Sequence, residues 1–156
     1  MADSISVTVH TLQALLSTYT LYFSYISITN LQKYETKTEE AAKYSNIAKD
    51  QLHKTRTTQG NALIAILMSL ATSIALAFKQ SSWSPYLVVG INVGNALNLL
   101  QTRAHVSNFW KGKAKVPFVE GYNEAISGTE RIIALLGNMS GSWALSSVLA
   151  LWKFFV

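Results

Sequence analysis

Asn92, Asn95, Asn98 and Gln101 recur at three-residue steps in an otherwise apolar stretch, and Arg103 and His105 follow them closely. A step of three residues turns about 300° around an α-helix, so the amides form a slowly winding ridge. Each amide is both donor and acceptor, and in an apolar medium each must find a partner. Functionally, the ridge would line a polar pocket, with Arg103 and His105 at its mouth. The commoner structural explanation is hydrogen bonding between helices, at about 0.6–2 kcal/mol per bond.

A second group is Glu120, Tyr122 and Glu124. Carboxylates four residues apart share a helix face and raise each other's pKa, which suits an acid or base working with His105. Acids at a helix start also simply complement its dipole, the more frequent case. One histidine and two acids at unrelated spacing match no metal-ligand pattern, so no metal is assigned. Glu130 and Arg131 point about 100° apart on a helix and are expected to seek partners elsewhere. Thr18, Tyr22, Tyr25 and Thr29 share one helical face, able to line a cavity for a lipophilic, oxygen-bearing molecule or to join helices.

These residues must be positioned by long apolar segments. The chain is 49% hydrophobic and 13% charged, against about 25% charged in ordinary soluble domains. Four blocks are long and poor in charge, at about 7–31, 60–78, 86–101 and 132–152, and about 20 apolar residues cross the roughly 30 Å hydrocarbon core. The expected fold is all-α: a single domain of four transmembrane helices with helical cytosolic extensions. Between the blocks lie a charged connector, 33–59, with the acid-first pairs Glu39–Lys43 and Asp50–Lys54, and a basic connector, 103–131. Ala65, Ser69, Ser73 and Ala77 give the second helix a small-residue face, and Gly90/Gly94 and Gly137/Gly141 form two GxxxG pairs. Polar groups along the first segment imply that much of its girth faces protein. Asn138-Met139-Ser140 matches a glycosylation sequon but falls inside an apolar block.

The absence of cysteine excludes disulfides and thiolate chemistry. The net charge of +5 arises in the connectors, which fits membrane topology and not nucleic-acid binding. Lys and Arg collect in the first and third connectors, placing these in the cytoplasm and both termini on the lumenal or outer side. No basic residue precedes the first apolar block, so that block is read as retained and not as a signal peptide. The expected location is a multi-pass position in a membrane such as the endoplasmic reticulum.

Four spans in about 150 residues, with a charged first and a basic third connector, resemble the membrane-associated eicosanoid and glutathione metabolism superfamily. That family opens its second helix with a basic residue, Gln or His, Asn and Glu; the matching stretch here is Arg56-Thr57-Thr58-Gln59-Gly60-Asn61, with Ile64 where the glutamate falls. The resemblance implies a homo-oligomer binding glutathione at the cytosolic face through Arg56, Gln59, Asn61 and Arg103.

Three functions follow as expectations. The first is a small membrane enzyme that isomerises, cyclises or conjugates a lipophilic substrate. Its pocket would be lined by Asn92, Asn95, Asn98, Tyr22, Tyr25 and Arg103, with His105, Glu120 and Glu124 as acids or bases. The second is a non-catalytic subunit docking a protein partner through the 33–59 connector. The third is a channel or transporter, disfavoured by the lack of charge at the centre of any span.

Overall fold

The computed structural model describes residues 2–79, 82–115 and 121–152. Four long helices dominate them: α1 (Ala2–Ala42), α2 (Asn46–Lys79), α3 (Pro85–Trp110) and α4 (Tyr122–Trp152). No strand occurs among the described residues. α1 runs through the entire first apolar block and half of the charged connector because nothing in it breaks a helix. The turn falls at Lys43–Ser45, where the Ser45 hydroxyl accepts from the Ala48 N–H at 3.4 Å. Ser84 caps α3 in the same way, accepting from Leu87 N–H at 3.3 Å, with Pro85 in the first turn. The basic connector is largely helical, since α3 continues to Trp110 and α4 begins at Tyr122.

Successive helices pack antiparallel, and α4 closes against α1, making an up-down-up-down bundle. Polar pairs fix the register. Gln13 of α1 donates to Ser146 of α4 (2.8 Å), and His10 Nδ1 lies 2.7 Å from Gln13 Oε1. One level on, Trp143 Nε1 donates to Ser69 Oγ (2.8 Å), and the Ser17 hydroxyl lies 3.0 Å from the same oxygen, tying α1, α2 and α4 together. Ser140 donates to the Ala96 carbonyl of α3 at 2.8 Å. Further along, the Thr129 hydroxyl accepts from Gln59 Nε2 (2.7 Å) and sits 3.2 Å from that of Ser27. Trp110 Nε1 then donates to Thr58 Oγ1 at 3.0 Å.

The interior therefore holds serine, threonine and amide side chains beside Ile66, Leu99, Leu136 and Trp143, while Leu12, Leu15, Met68, Phe78, Leu97 and Val148 lie on the outside. Two helices, α2 and α4, are long and apolar enough to cross a membrane; the hydroxyls of α1 and the amides of α3 keep those two below the same apolarity. The hydroxyls of α1 divide between two faces: Ser17, Thr20, Ser24 and Ser27 are buried, whereas Tyr22 and Tyr25 are exposed. The small-residue face of α2 is used for packing, with Ala65, Ser69 and Ser73 buried. The GxxxG pairs are not used for close helix approach within the chain. A Cβ on Gly90, Gly94 or Gly141 would meet nothing within 4 Å, and one on Gly137 would meet the Arg103 side chain.

Ser69 is the shared partner of its layer and accepts from the indole, so Ser69→Ala strands a buried indole N–H and should cost about 1–3 kcal/mol. Ser17→Ala leaves the Trp143–Ser69 bond intact and should cost less. Thermal unfolding of the two variants tests this, and equal losses would refute the central role of Ser69.

Candidate functional site

The amide ridge of α3 splits into two environments. Asn92 and Asn95 turn inward and are buried. Asn95 donates to the Ile91 carbonyl (3.0 Å) and accepts from Thr72 of α2 (3.3 Å), while Asn92 Oδ1 is buried without a partner. These two amides join or pack helices and line no cleft described below. Asn98 and Gln101 instead turn toward α2. With Thr102 and His105 they face Asn61, Ile64, Ala65 and Met68 across a polar-walled cleft of about 340 Å³. The cleft exists because α2 and α3 are the most loosely packed neighbours in the bundle. Among the described residues, Asn61, Asn98, Gln101 and His105 have no hydrogen-bond partner.

Gly90, Gly94, Asn98, Gln101 and His105 succeed one another at steps of four, four, three and four, so they form one stripe of α3. The open glycine surface thus runs into the cleft along the helix. Ile64 and Met68, both more than half exposed, form an apolar lip on the α2 side.

The other expected site residues lie elsewhere. Tyr22 and Tyr25 line a shallow groove with Thr18, Thr29 and Leu63 on the outer side of α1 and α2. Arg103 reaches across to α4, donating from Nε to the Ile133 carbonyl at 3.2 Å in the space left by Gly137. Glu124 accepts from the Gly121 N–H at 2.6 Å, a cap on its own helix, and it does not line the His105 cleft. Glu120 lies outside the described residues. Glu124 and His105, both expected at one cytosolic mouth, therefore lie apart: capping takes the carboxylate and the α2–α3 cleft takes the imidazole. Arg131 bonds to Tyr19 of α1 (Nη2–OH 2.7 Å) and stacks on Phe23, 4.1 Å from the ring centroid.

Residues matching the glutathione motif do not converge within one chain either. Arg56 and Gln59 line a cleft between α1 and α2 with Ile28, Gln32 and Glu35; Asn61 faces α3, and Arg103 faces α4. Arg56 is gripped by Glu35 and Glu39, whose hydrogen bonds hold its pKa above the usual guanidinium value. Two carboxylates already on the guanidinium compete with any carboxylate of glutathione, and within one chain these residues form no single glutathione site. Glu39 thus pairs with Arg56 and not with Lys43, which lies in the turn, while the expected Asp50–Lys54 pair forms at 2.8 Å. No group of three or more His, Cys, Asp or Glu able to hold a metal is present among the described residues.

One cavity went unread in the sequence. At the Lys113 end of the bundle, Leu31, Tyr34, Leu52, Thr55, Phe109, Trp110 and Tyr122 enclose about 270 Å³, with Glu35, Gln51 and Lys113 among its lining. The rings of Tyr34 and Tyr122 lie 5.1 Å apart. Burial, then the nearby Tyr34, raises the Tyr122 pKa above the ordinary phenol value. The aromatic residues are spread over Tyr34, Phe109–Trp110 and Tyr122, and only the helix ends bring them together; the clustering of Phe109, Trp110 and Lys113 was the available signal.

No family model, curated protein or solved structure matches the chain. Assignment of a function therefore rests on the geometry.

Gly121 positions Tyr122 and the start of α4. Its φ is +83°, and a Cβ there would sit 2.6 Å from the Asn30 carbonyl oxygen. Gly121→Ala should cost about 2–3 kcal/mol, read as a lowered unfolding midpoint, because strain and a backbone clash add. An unchanged midpoint would mean that the turn relaxes freely.

Proposed function

We propose that this chain is a four-span integral membrane protein that binds a lipophilic molecule with an uncharged polar head in the cleft between α2 and α3. Membrane residence is supported by the inverted packing, with polar side chains bonded inside and large apolar ones outside on all four helices. Threonines on the outer side of α1 suit lipid because they bond their own backbone: Thr11 to Val7 and Thr18 to Ala14, at 2.8 and 2.9 Å. The distribution of Lys and Arg supports cytosolic ends at the α1–α2 turn and the α3–α4 connector. In that orientation, Asn61, Asn98 and Gln101 lie at the cytosolic boundary of the bilayer.

The observation that carries the binding reading is the gathering of Asn61, Asn98, Gln101 and His105, none with a hydrogen-bond partner among the described residues, in one cleft with apolar Ile64 and Met68 at its lip. Unpaired amides beside hydrocarbon are costly, and a ligand hydroxyl or carbonyl would satisfy them. The ligand's apolar body would follow the open Gly90–Gly94 surface. His105 is the one titratable group lining this cleft, so any proton transfer in an isomerisation or cyclisation falls to its imidazole. The scaffold alternative is weakened by the pairing of Arg56 with Glu35 and Glu39, which satisfies connector charges within the chain.

Two measurements test this. The natural lack of cysteine allows single-site labelling: a membrane-impermeant maleimide should modify Ser82→Cys from the outer side and Ser45→Cys only after permeabilisation. The reverse pattern would invert the topology, and labelling of both from one side would end the four-span reading. Purification from native membranes in mild detergent, followed by mass spectrometry, should yield a bound lipophile bearing a hydroxyl or carbonyl. Asn98→Leu and Gln101→Leu should lose it. Retention of the lipophile by both variants would exclude the cleft, and a stoichiometric protein in its place would favour the scaffold.

A further inference from the structure

The aromatic cavity at the Lys113 end shares no lining residue with the α2–α3 cleft. All four helices supply its walls, and its volume of about 270 Å³ approaches the roughly 300 Å³ at which small-ligand sites begin. Most of the wall is apolar or aromatic. Two charged groups line it, and they are not equally available. Glu35 is engaged by Arg56, which lies outside this cavity. Lys113 is half-buried, seated 4.4 Å from the Phe109 ring centroid, and among the described residues gives one hydrogen bond, to Gln51 Oε1 at 2.7 Å. An ammonium has three N–H donors, so within the described residues two remain for a ligand.

This arrangement selects the sign of the guest. Aromatic walls alone would favour a cation, by attraction to the ring faces. Here the Phe109 face is already occupied by the protein's own ammonium, so a second cation would meet a like charge, whereas an anion would meet a half-buried charged donor. Thr55 and the phenols of Tyr34 and Tyr122 offer further hydroxyls along the wall.

We propose that this cavity is a binding site for a small amphipathic anion, with a flat aromatic or alicyclic body among Tyr34, Phe109, Trp110 and Tyr122 and a single carboxylate on Lys113. Its volume admits a bicyclic ring system and is too small for a long acyl chain. The guest thus differs from the uncharged lipophile assigned to the other cleft.

The test uses the full chain in lipid nanodiscs and a shape-matched pair of opposite charge, 2-naphthoate and 2-naphthylmethylamine, titrated by calorimetry with empty nanodiscs subtracted. Naphthoate should bind saturably, one per chain, and the amine should not. Lys113→Gln should weaken naphthoate about tenfold, the loss of one charge-assisted hydrogen bond. Lys113→Arg should hold within about threefold of wild type. Thr55→Trp, which fills the cavity, should abolish binding, and Lys115→Gln, altering an exposed neighbour, should leave it unchanged. The proposal is overturned if naphthoate does not saturate the wild type, if the amine binds as tightly, or if Lys113→Gln or Thr55→Trp leaves affinity intact. Should a Lys113 variant fail to fold, the oppositely charged pair on the wild-type chain still decides.

Discussion

The bundle depends on polar side chains that satisfy one another across helices in an interior offering little else to bond. The Ser17–Ser69–Trp143 layer embodies this constraint. None of its groups can be left unpaired cheaply, and none finds a partner on its own helix that would serve as well. Meeting that demand fixes rotation and register together, because a shift of one residue on α2 would carry Ser69 about 100° away from Trp143. Gln13–Ser146 and Gln59–Thr129 apply the same rule nearer each end. Apolar packing fills the remaining space but, being non-directional, discriminates less among registers.

The same rule makes the departures informative. Where α2 and α3 separate, Asn61, Asn98, Gln101 and His105 break the pattern of internal satisfaction. Asn95, one turn from Asn98, obeys it through Thr72. Two asparagines three residues apart on one helix thus have different fates, decided by whether the opposing helix is near enough to supply a partner. Threonine resolves the problem locally by bonding the carbonyl four residues back, which an asparagine at Asn98 or a glutamine at Gln101 does less readily. Amides left facing outward are therefore a stronger pointer to a ligand than exposed threonines.

Much of the helical framework was legible. Apolar blocks, the break at Gly/Pro-poor boundaries and Pro85 located all four helices, and small residues at Ala65, Ser69 and Ser73 marked a packing face correctly. The site was less legible, because period alone cannot tell which neighbour a ridge faces. Asn92, Asn95, Asn98 and Gln101 read as one continuous lining, yet a ridge turning about 60° per three-residue step carries its ends to different surroundings. Arg103 looked like part of the same mouth, but Gly137 opened a path for it to α4. Glu124 shared a helix face with Glu120 in sequence and was instead spent on the Gly121 N–H. The Lys113 cavity left only the Phe109, Trp110 and Lys113 cluster as a local signature, since its walls come from residues as far apart as Leu31 and Tyr122.

The long helical extensions have a physical consequence for how two sites coexist. At 1.5 Å per residue, the four and five residues from His105 to Phe109 and Trp110 put these walls of the aromatic cavity roughly 6–8 Å further along the α3 direction than His105. On the proposed topology the cleft lies at the edge of the hydrocarbon and the cavity in the aqueous layer beyond it. The uncharged head proposed for the cleft would then be read where water is scarce and amides are sufficient. The carboxylate proposed for the cavity would be read further out, where a guest can arrive from solution. Arg56, clamped by Glu35 and Glu39 beside this outer cavity, braces α1 against α2. As an exposed bridge it adds only about 0–1 kcal/mol to stability, so its effect is to hold the walls in place and to keep Glu35 from repelling an anionic guest.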